Sequence, residues 1–433
     1  MEMIVIEGGR KLSGRVRIGG AKNAALPVLA GALLTGGKVQ LEAVPTLDDV
    51  TTMLEVLVHL GAAVETESGG ALTLTTAELV NSEAPYELVR RMRASFLVMG
   101  PLLARQGVAR IALPGGCAIG ARPIDLHLKG FSAMGAEVVA GYGYVEARAE
   151  RLRGAEIYLD FPSVGATENL MMAATLAEGN TVIENAAREP EIVDLATFLN
   201  ALGARVRGAG TDTIRIEGVP ELQGGRHRII PDRIEAGTYL MAAGAAGGEV
   251  TIENVVCRHL EPVVAKAREA GLEIQVESGT GEGGNETLRV CSDGCPRAAD
   301  IITLPYPGFP TDLQPPWMAL MAVSSGRAVI TENVFEDRFR HVEELRRLGA
   351  KVRVQGRMAE VAGVPQLCGA RVKATDLRGG AALVVAGLAA GGVTEIGYVH
   401  HLDRGYANLE ENLRLLGAAV GRQDVPLPEA DTA

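Results

Sequence analysis

RLGAKVR, residues 347–353, ends one element and begins another. A helical apolar face runs into Gly349, and alternating apolar residues follow it. Glycine there fits the left-handed backbone position that closes a helix before a strand. The same signature recurs in HLGAAVE (59–65), AMGAEVV (133–139), ALGARVR (201–207), EAGLEIQ (269–275) and LLGAAVG (415–421). The glycines are Gly61, Gly135, Gly203, Gly271, Gly349 and Gly417, spaced by 74, 68, 68, 78 and 68 residues. A fixed period of this kind marks an internally repeated architecture.

A second marker alternates with the first: LLTGGKVQLEAV (33–44), LARQGVARIAL (103–113), LAEGNTVIENA (176–186), AAGGEVTIENV (245–255), VSSGRAVITENV (323–334) and LAAGGVTEIGYV (388–399). Each reads as a helix end, a glycine cap and a half-alternating strand. The unit is therefore about 70 residues of helix, strand, helix, strand, with short strands between. Six units, three per domain, predict two similar α/β domains with helices covering sheet faces.

Composition narrows the function. The chain has 433 residues, 47% hydrophobic and 22% charged, an ordinary globular balance. Aromatics are 4%, too few for base-stacking platforms, and the net charge of −11 repels nucleic acid and anionic membranes. An anionic ligand must then be gathered by a local cluster of Lys and Arg. Five cysteines in no regular framework point to a reducing compartment. Cys291 and Cys295 form a C-x3-C with no second pair, so no metal is expected. The start, MEMIVIEGG, reads as a short strand rather than a signal peptide. AALVVAGLAA (381–390) is too short to span a bilayer, so a cytoplasmic protein is expected.

Four helical turns before each glycine of the second marker lies the start of a helix. Lys22, Arg93, Gly165, Arg233, Asp312 and Arg378 stand there. Helix N-termini carry unsatisfied N–H groups and suit anions. Singly, each residue has an alternative: Asp312 as a helix cap beside Thr311, Arg93 and Arg378 as solvated charges. Their shared place in the repeat favours function. GGAKNA (19–24) lacks the Walker pattern, and GGCAIG (115–120) lacks G-x-G-x-x-G, which excludes those nucleotide sites. In LPGGCAIGARP (113–123), three glycines in six residues predict an exposed, sharply bent loop around Cys117. A free cysteine is most often buried and inert. Beside Arg122, however, its thiol is expected to be acidified, as a nucleophile or general acid. Arg338 and Arg340 precede a predicted helix, and Arg404 sits in a predicted turn beside Asp403. Surface salt bridging is the alternative for both segments. His341, His400 and His401 match no metal-binding spacing.

GGAKNAALPVLAGALL, MRASFLVMGPLLAR, LPGGCAIGARPIDLHLKGFSAMGAEV, PSVGATENLMMAATLAEG, PDRIEAGTYLMAA, FPTDLQP, ENVFEDRFRHVEEL, TDLRGGAALVVAGLA and DRGYANLEENLRLLGA together resemble the UDP-N-acetylglucosamine enolpyruvyl transferases of the EPSP synthase superfamily. The nine blocks run in order from about residue 1 to 420. The resemblance implies an α/β fold of two inside-out, barrel-like domains, each of three repeated units. It places residues 22–230 in the domain carrying the Cys117 loop and residues 1–21 plus 231–421 in the other. Residues 422–433 read as a disordered tail.

The implied reaction moves the enolpyruvyl group of phosphoenolpyruvate to the 3-hydroxyl of UDP-N-acetylglucosamine and releases phosphate. It needs two small-molecule substrates, no cofactor and no metal. Lys22, Asn23, Arg122, Arg338, Arg378 and Arg404 resemble the family's phosphoenolpyruvate-binding residues, with Lys22 and Arg404 also catalytic. Cys117 resembles the general acid, the site of a covalent phosphoenolpyruvate adduct and of fosfomycin alkylation. Asp312 resembles the base acting on the sugar hydroxyl. Arg93, Arg122, Pro123, Ile124, Asp125, Leu126, Ser163, Val164, Gly165, Asp312 and Val334 resemble the sugar-nucleotide contacts. One departure stands in VPTLDD (44–49), where certain relatives have a lysine and this chain has Thr46 and Asp48. Two other readings are a shikimate-phosphate enolpyruvyl transferase, disfavoured by the cysteine loop, and a catalytically silent UDP-sugar binder. The oligomeric state is not legible.

Overall fold

The computed structural model describes residues 2–67, 70–113, 124–141, 143–279 and 284–424. Two compact units account for them, one of residues 20–113 and 124–230, the other of residues 2–19 and 231–424. Each is built on three four-stranded sheets, and all six sheets share one pairing scheme. An edge strand runs parallel to its neighbour, and the next two pairings are antiparallel. In the sheet holding Arg327–Thr331, for example, Ile301–Ile302 pairs parallel with it, Met358–Ala362 antiparallel with it, and Lys351–Gln355 antiparallel with Met358–Ala362. Six sheets of one topology are the structural form of the six sequence repeats. Among the described residues none of the sheets closes into a barrel.

Borrowed strands complete the scheme where a unit begins or ends. Gly225–Arg228, at the end of the 20–230 segment, supplies the parallel edge beside Lys38–Glu42. Leu12–Arg17 does the same beside Gly248–Val255. Strand β1 (Glu2–Glu7) lies between Val393–Gly397 and Ala419–Asp424. Arg422–Asp424 therefore belong to a paired strand and not to a disordered tail. Arg422 is held by ion pairs to Glu2, Asp403 and Glu410.

One helix of each repeat is enclosed. These are α1 (Lys22–Gly31), α2 (Met99–Gln106), α3 (Val164–Ala174), α4 (Arg233–Ala246), α5 (Gln314–Ala322) and α6 (Leu377–Ala389). Residues 234–245 of α4 and all of α5 are buried, as expected of helices apolar on every side. Close approach explains their small residues. A Cβ on Gly237 would meet the Leu313 side chain at 2.4 Å, and one on Gly244 would meet Leu272 and Leu320 below 3 Å. The strands bury alternate residues against this helical interior, as in the pattern of Thr213–Glu217.

The remaining helix of each repeat ends at a first-marker glycine. Gly61, Gly135, Gly203, Gly271, Gly349 and Gly417 have φ between 81° and 113°. Five second-marker glycines are also left-handed: Gly107, Gly179, Gly247, Gly326 and Gly392. The first copy differs. Gly37 is not left-handed and is needed for space, since a Cβ there would lie 2.4 Å from the Gly224 nitrogen. Among the described residues no helix is long and apolar enough to cross a membrane.

Candidate active site

In the unit of residues 231–424, the repeat brings Asp312, Arg338 and Arg378 together. Asp312 lies in the single 3-10 turn Thr311–Leu313 that leads into α5. Arg378 is the second residue of α6, and Arg338 precedes the short helix Val342–Arg347. Asp312 Oδ1 accepts from Arg338 Nη2 at 2.8 Å, and its Oδ2 accepts from Arg378 Nε and Nη2 at 3.3 and 3.2 Å. Both arginines are 3% exposed. The solvated reading of Arg378 is therefore excluded, and the Asp312 carboxylate is turned to arginine rather than to a helix cap. Arg338 Nε and Arg378 Nη1 are buried with no acceptor among the described residues. Such donors are costly to bury unless an anion takes them up.

The surroundings fix this cluster. Asp376 caps α6, its Oδ1 accepting from the Arg378 and Gly379 amides at 3.1 Å each. Burial opposes its charge, but Arg338 and the Gly379 amide hold its pKa below the usual carboxylate value. Burial drives His341 down to about 4 against the pull of Asp376. Glu332, fully buried, accepts from the Thr303 and Thr311 hydroxyls and from the Val334 and Phe335 amides. It ties Val334 to the residue preceding Asp312. Arg404 is half-buried at the end of the short helix His400–Asp403.

At the head of α4, Asp232 Oδ1 caps the Ile234 and Glu235 amides. Glu235 Oε2 accepts from the Gly19 amide at 3.2 Å. Burial and the charge of Asp232 push Glu235 up to about 8, partly countered by that amide and by Arg378.

In the unit of residues 20–113 and 124–230, Lys22 and Asn23 open α1. Lys22 is 8% exposed and its Nζ lies 3.1 Å from Asp49 Oδ2. Arg93, half-buried, opens the turn leading into α2. Ser163 caps α3 through the Ala166 amide, ahead of Val164 and Gly165. Both regions meet at His127. Its ring packs edge-on against Phe96 with centroids 5.1 Å apart, and Nδ1 accepts from Asn169 Nδ2 at 3.1 Å. A Cβ on Gly165 would touch the same ring at 3.5 Å. Burial, reinforced by the Arg93 charge, lowers His127 to about 3. Ile124 and Leu126 are half-buried beside this group and Asp125 is exposed at a helix start. Cys117, Arg122 and Pro123 lie outside the described residues.

Among the described residues no group of three or more His, Cys, Asp or Glu side chains is arranged to hold a metal. Sequence reasoning missed His127, Glu332 and Asp376. Only Asp376 carried a readable signal, an N-cap aspartate two residues before Arg378.

A family model, EPSP synthase (3-phosphoshikimate 1-carboxyvinyltransferase), matches residues 6–413. The chain belongs to the EPSP synthase family. Within it, this member is 63% identical over 422 residues to UDP-N-acetylglucosamine 1-carboxyvinyltransferase 2 of Carboxydothermus hydrogenoformans, covering 98% of this chain and 99% of that one. It is 57% identical to UDP-N-acetylglucosamine 1-carboxyvinyltransferase 1 of Caldanaerobacter subterraneus, covering 97% and 99%. The crystal structure of the enolpyruvyl transferase NikO from Streptomyces tendae superposes with a TM-score of 0.87 at 28% identity, over 98% of this EPSP synthase family chain and 99% of NikO.

Proposed function

We propose that the protein transfers the enolpyruvyl group of phosphoenolpyruvate to the 3-hydroxyl of UDP-N-acetylglucosamine, releasing phosphate, as the first committed step of peptidoglycan synthesis in the cytoplasm. The observation that carries this reading is the 63% identity, along nearly the whole of both chains, to a UDP-N-acetylglucosamine 1-carboxyvinyltransferase.

The chemistry is an addition followed by an elimination. A proton goes to C3 of phosphoenolpyruvate as the sugar oxygen attacks C2, giving a tetrahedral phosphate ketal. Loss of phosphate and of a C3 proton then restores the double bond. Cys117 is assigned the proton to C3, and Asp312 the proton of the sugar hydroxyl. Phosphoenolpyruvate brings a phosphate and a carboxylate, so Lys22, Asn23, Arg122, Arg338, Arg378 and Arg404 are assigned to it. The sugar nucleotide is assigned to Arg93, residues 122–126, residues 163–165, Asp312 and Val334.

The Asp312 cluster supports these roles. Arg338 and Arg378 share the Asp312 carboxylate and still hold buried donors without acceptors among the described residues. An incoming dianion competes for those guanidinia and loosens their grip on Asp312. The carboxylate then becomes a better proton acceptor when the substrate is in place.

The test is phosphate release from phosphoenolpyruvate in the presence of UDP-N-acetylglucosamine. Release by the wild-type protein and its loss in Asp312→Ala are expected. A wild-type protein that releases none contradicts the activity, and an undiminished variant contradicts the base assignment.

A further inference from the structure

Tyr406 has no role in the reaction as written, yet it is buried beside Arg378. The ring centroid lies 5.4 Å from the guanidinium carbon of Arg378, and the residue is 3% exposed. Its hydroxyl lies 2.9 Å from Thr238 Oγ1 on α4. The protons of this chain can be assigned. Thr238 Oγ1 donates to the Ile234 carbonyl at 2.8 Å, which uses its one hydrogen. Tyr406 must therefore donate to Thr238, and its phenolic oxygen keeps only lone pairs. Those lone pairs attract the guanidinium. Burial opposes the Arg378 charge, while Tyr406, Asp312 and Asp232 hold its pKa above the ordinary arginine value. Gly405 admits the contact, since a Cβ there would meet the Leu377 side chain at 2.6 Å.

We propose that Tyr406, oriented by Thr238, is a positioning residue that fixes the direction of the Arg378 guanidinium and so sets how tightly the phosphoenolpyruvate anion is held. This rests on the function proposed above. Asp312 engages two nitrogens of Arg378, leaving Nη1 buried and without an acceptor among the described residues. That fork is free to pivot about Asp312 unless a second group holds it. Tyr406 holds it by packing its ring against the guanidinium, with the phenolic oxygen fixed by Thr238.

Tyr406→Phe keeps the ring and removes the oxygen. We expect KM for phosphoenolpyruvate to rise about tenfold as the guanidinium loses its fixed direction. KM for UDP-N-acetylglucosamine and the melting temperature should hold. Thr238→Val should act in the same direction, and the double variant should add nothing to Tyr406→Phe because both act on one path. An unchanged KM for phosphoenolpyruvate, additive effects, or a rise in both KM values with a fallen melting temperature would overturn the proposal. A readout free of turnover is phenylglyoxal labelling followed by peptide mass mapping. Arg378 should label several-fold faster in Tyr406→Phe, with Arg422 unchanged, and equal Arg378 rates in the two proteins count against the idea. Should the wild-type protein lack transferase activity, the proposed function fails and the labelling alone decides the role of Tyr406.

Discussion

Arg338 and Asp312 form a charge pair with Nη2 2.8 Å from Oδ1, the guanidinium side chain 3% exposed and the carboxylate 25%. A second buried guanidinium, Arg378, sits on the other oxygen at 3.2 Å. Asp312→Ala removes the carboxylate that both share. Breaking such a buried pair costs about 3 kcal/mol, which a urea titration reads directly. Added phosphate or phosphoenolpyruvate should restore part of the loss by occupying the vacated donors. A variant as stable as the parent, or one indifferent to phosphate, speaks against the cluster as an anion site. In the transferase assay, loss of the proposed base predicts a fall of about 10²–10⁴ in rate.

Glu235 makes stability depend on pH in the alkaline direction. Its folded pKa is raised to about 8 from an unfolded value of 4.5. Between those values the native state holds a proton that the unfolded chain has lost. The stabilisation is complete below about pH 4.5 and disappears as pH rises through about 8. Glu235→Gln keeps an acceptor for the Gly19 amide and cannot ionise. It should match the wild type near pH 5 and melt at a higher temperature near pH 9. Parallel melting curves for the two proteins across that range would dismiss the assignment.

His127 acts at the acid end. Its folded pKa is lowered to about 3 from 6.5 by burial and Arg93, so the unfolded chain takes up a proton that the native state refuses. Its contribution is present above about pH 6.5 and is lost as pH falls toward 3. Imidazole nitrogen shifts followed by NMR should show His127 neutral from pH 8 down to pH 5. A midpoint near 6.5 would mean that the ring is not enclosed as described.

Fosfomycin should consume one thiol of the five in the chain. Burial and Glu286 push Cys257 up to about 12, and burial also raises Cys291, so neither supplies thiolate at neutral pH. The expected target is Cys117. Time-dependent labelling that persists in Cys117→Ser would reassign the reactive thiol to another cysteine.

The repeat was legible because its signal is local. A helix-closing glycine announces itself within seven residues, and six copies at one period announce a common unit. The helix starts at Lys22, Arg93, Arg233 and Arg378 followed from the same counting. Pairings across distant segments were not legible. Asp312 and Arg378 are separated by 66 positions and Tyr406 and Thr238 by 168, and only the packed helices bring them together. The extent of the last strand was not legible either. Arg422 reads as the start of a polar tail, but its three carboxylate partners, Glu2, Asp403 and Glu410, come from elsewhere in the chain.

The place of β1 between Val393–Gly397 and Ala419–Asp424 constrains biosynthesis. Strand β1 leaves the ribosome long before either of these neighbours. At about 5–20 residues per second it waits roughly 20–80 s for them. Meanwhile the unit of residues 20–113 and 124–230 emerges with every described strand of its three sheets already in hand. A nascent chain stalled before residue 393 therefore leaves β1 unpaired, with the apolar side chains of Met3, Ile4 and Ile6 exposed. That segment is where a holdase chaperone would have most to shield.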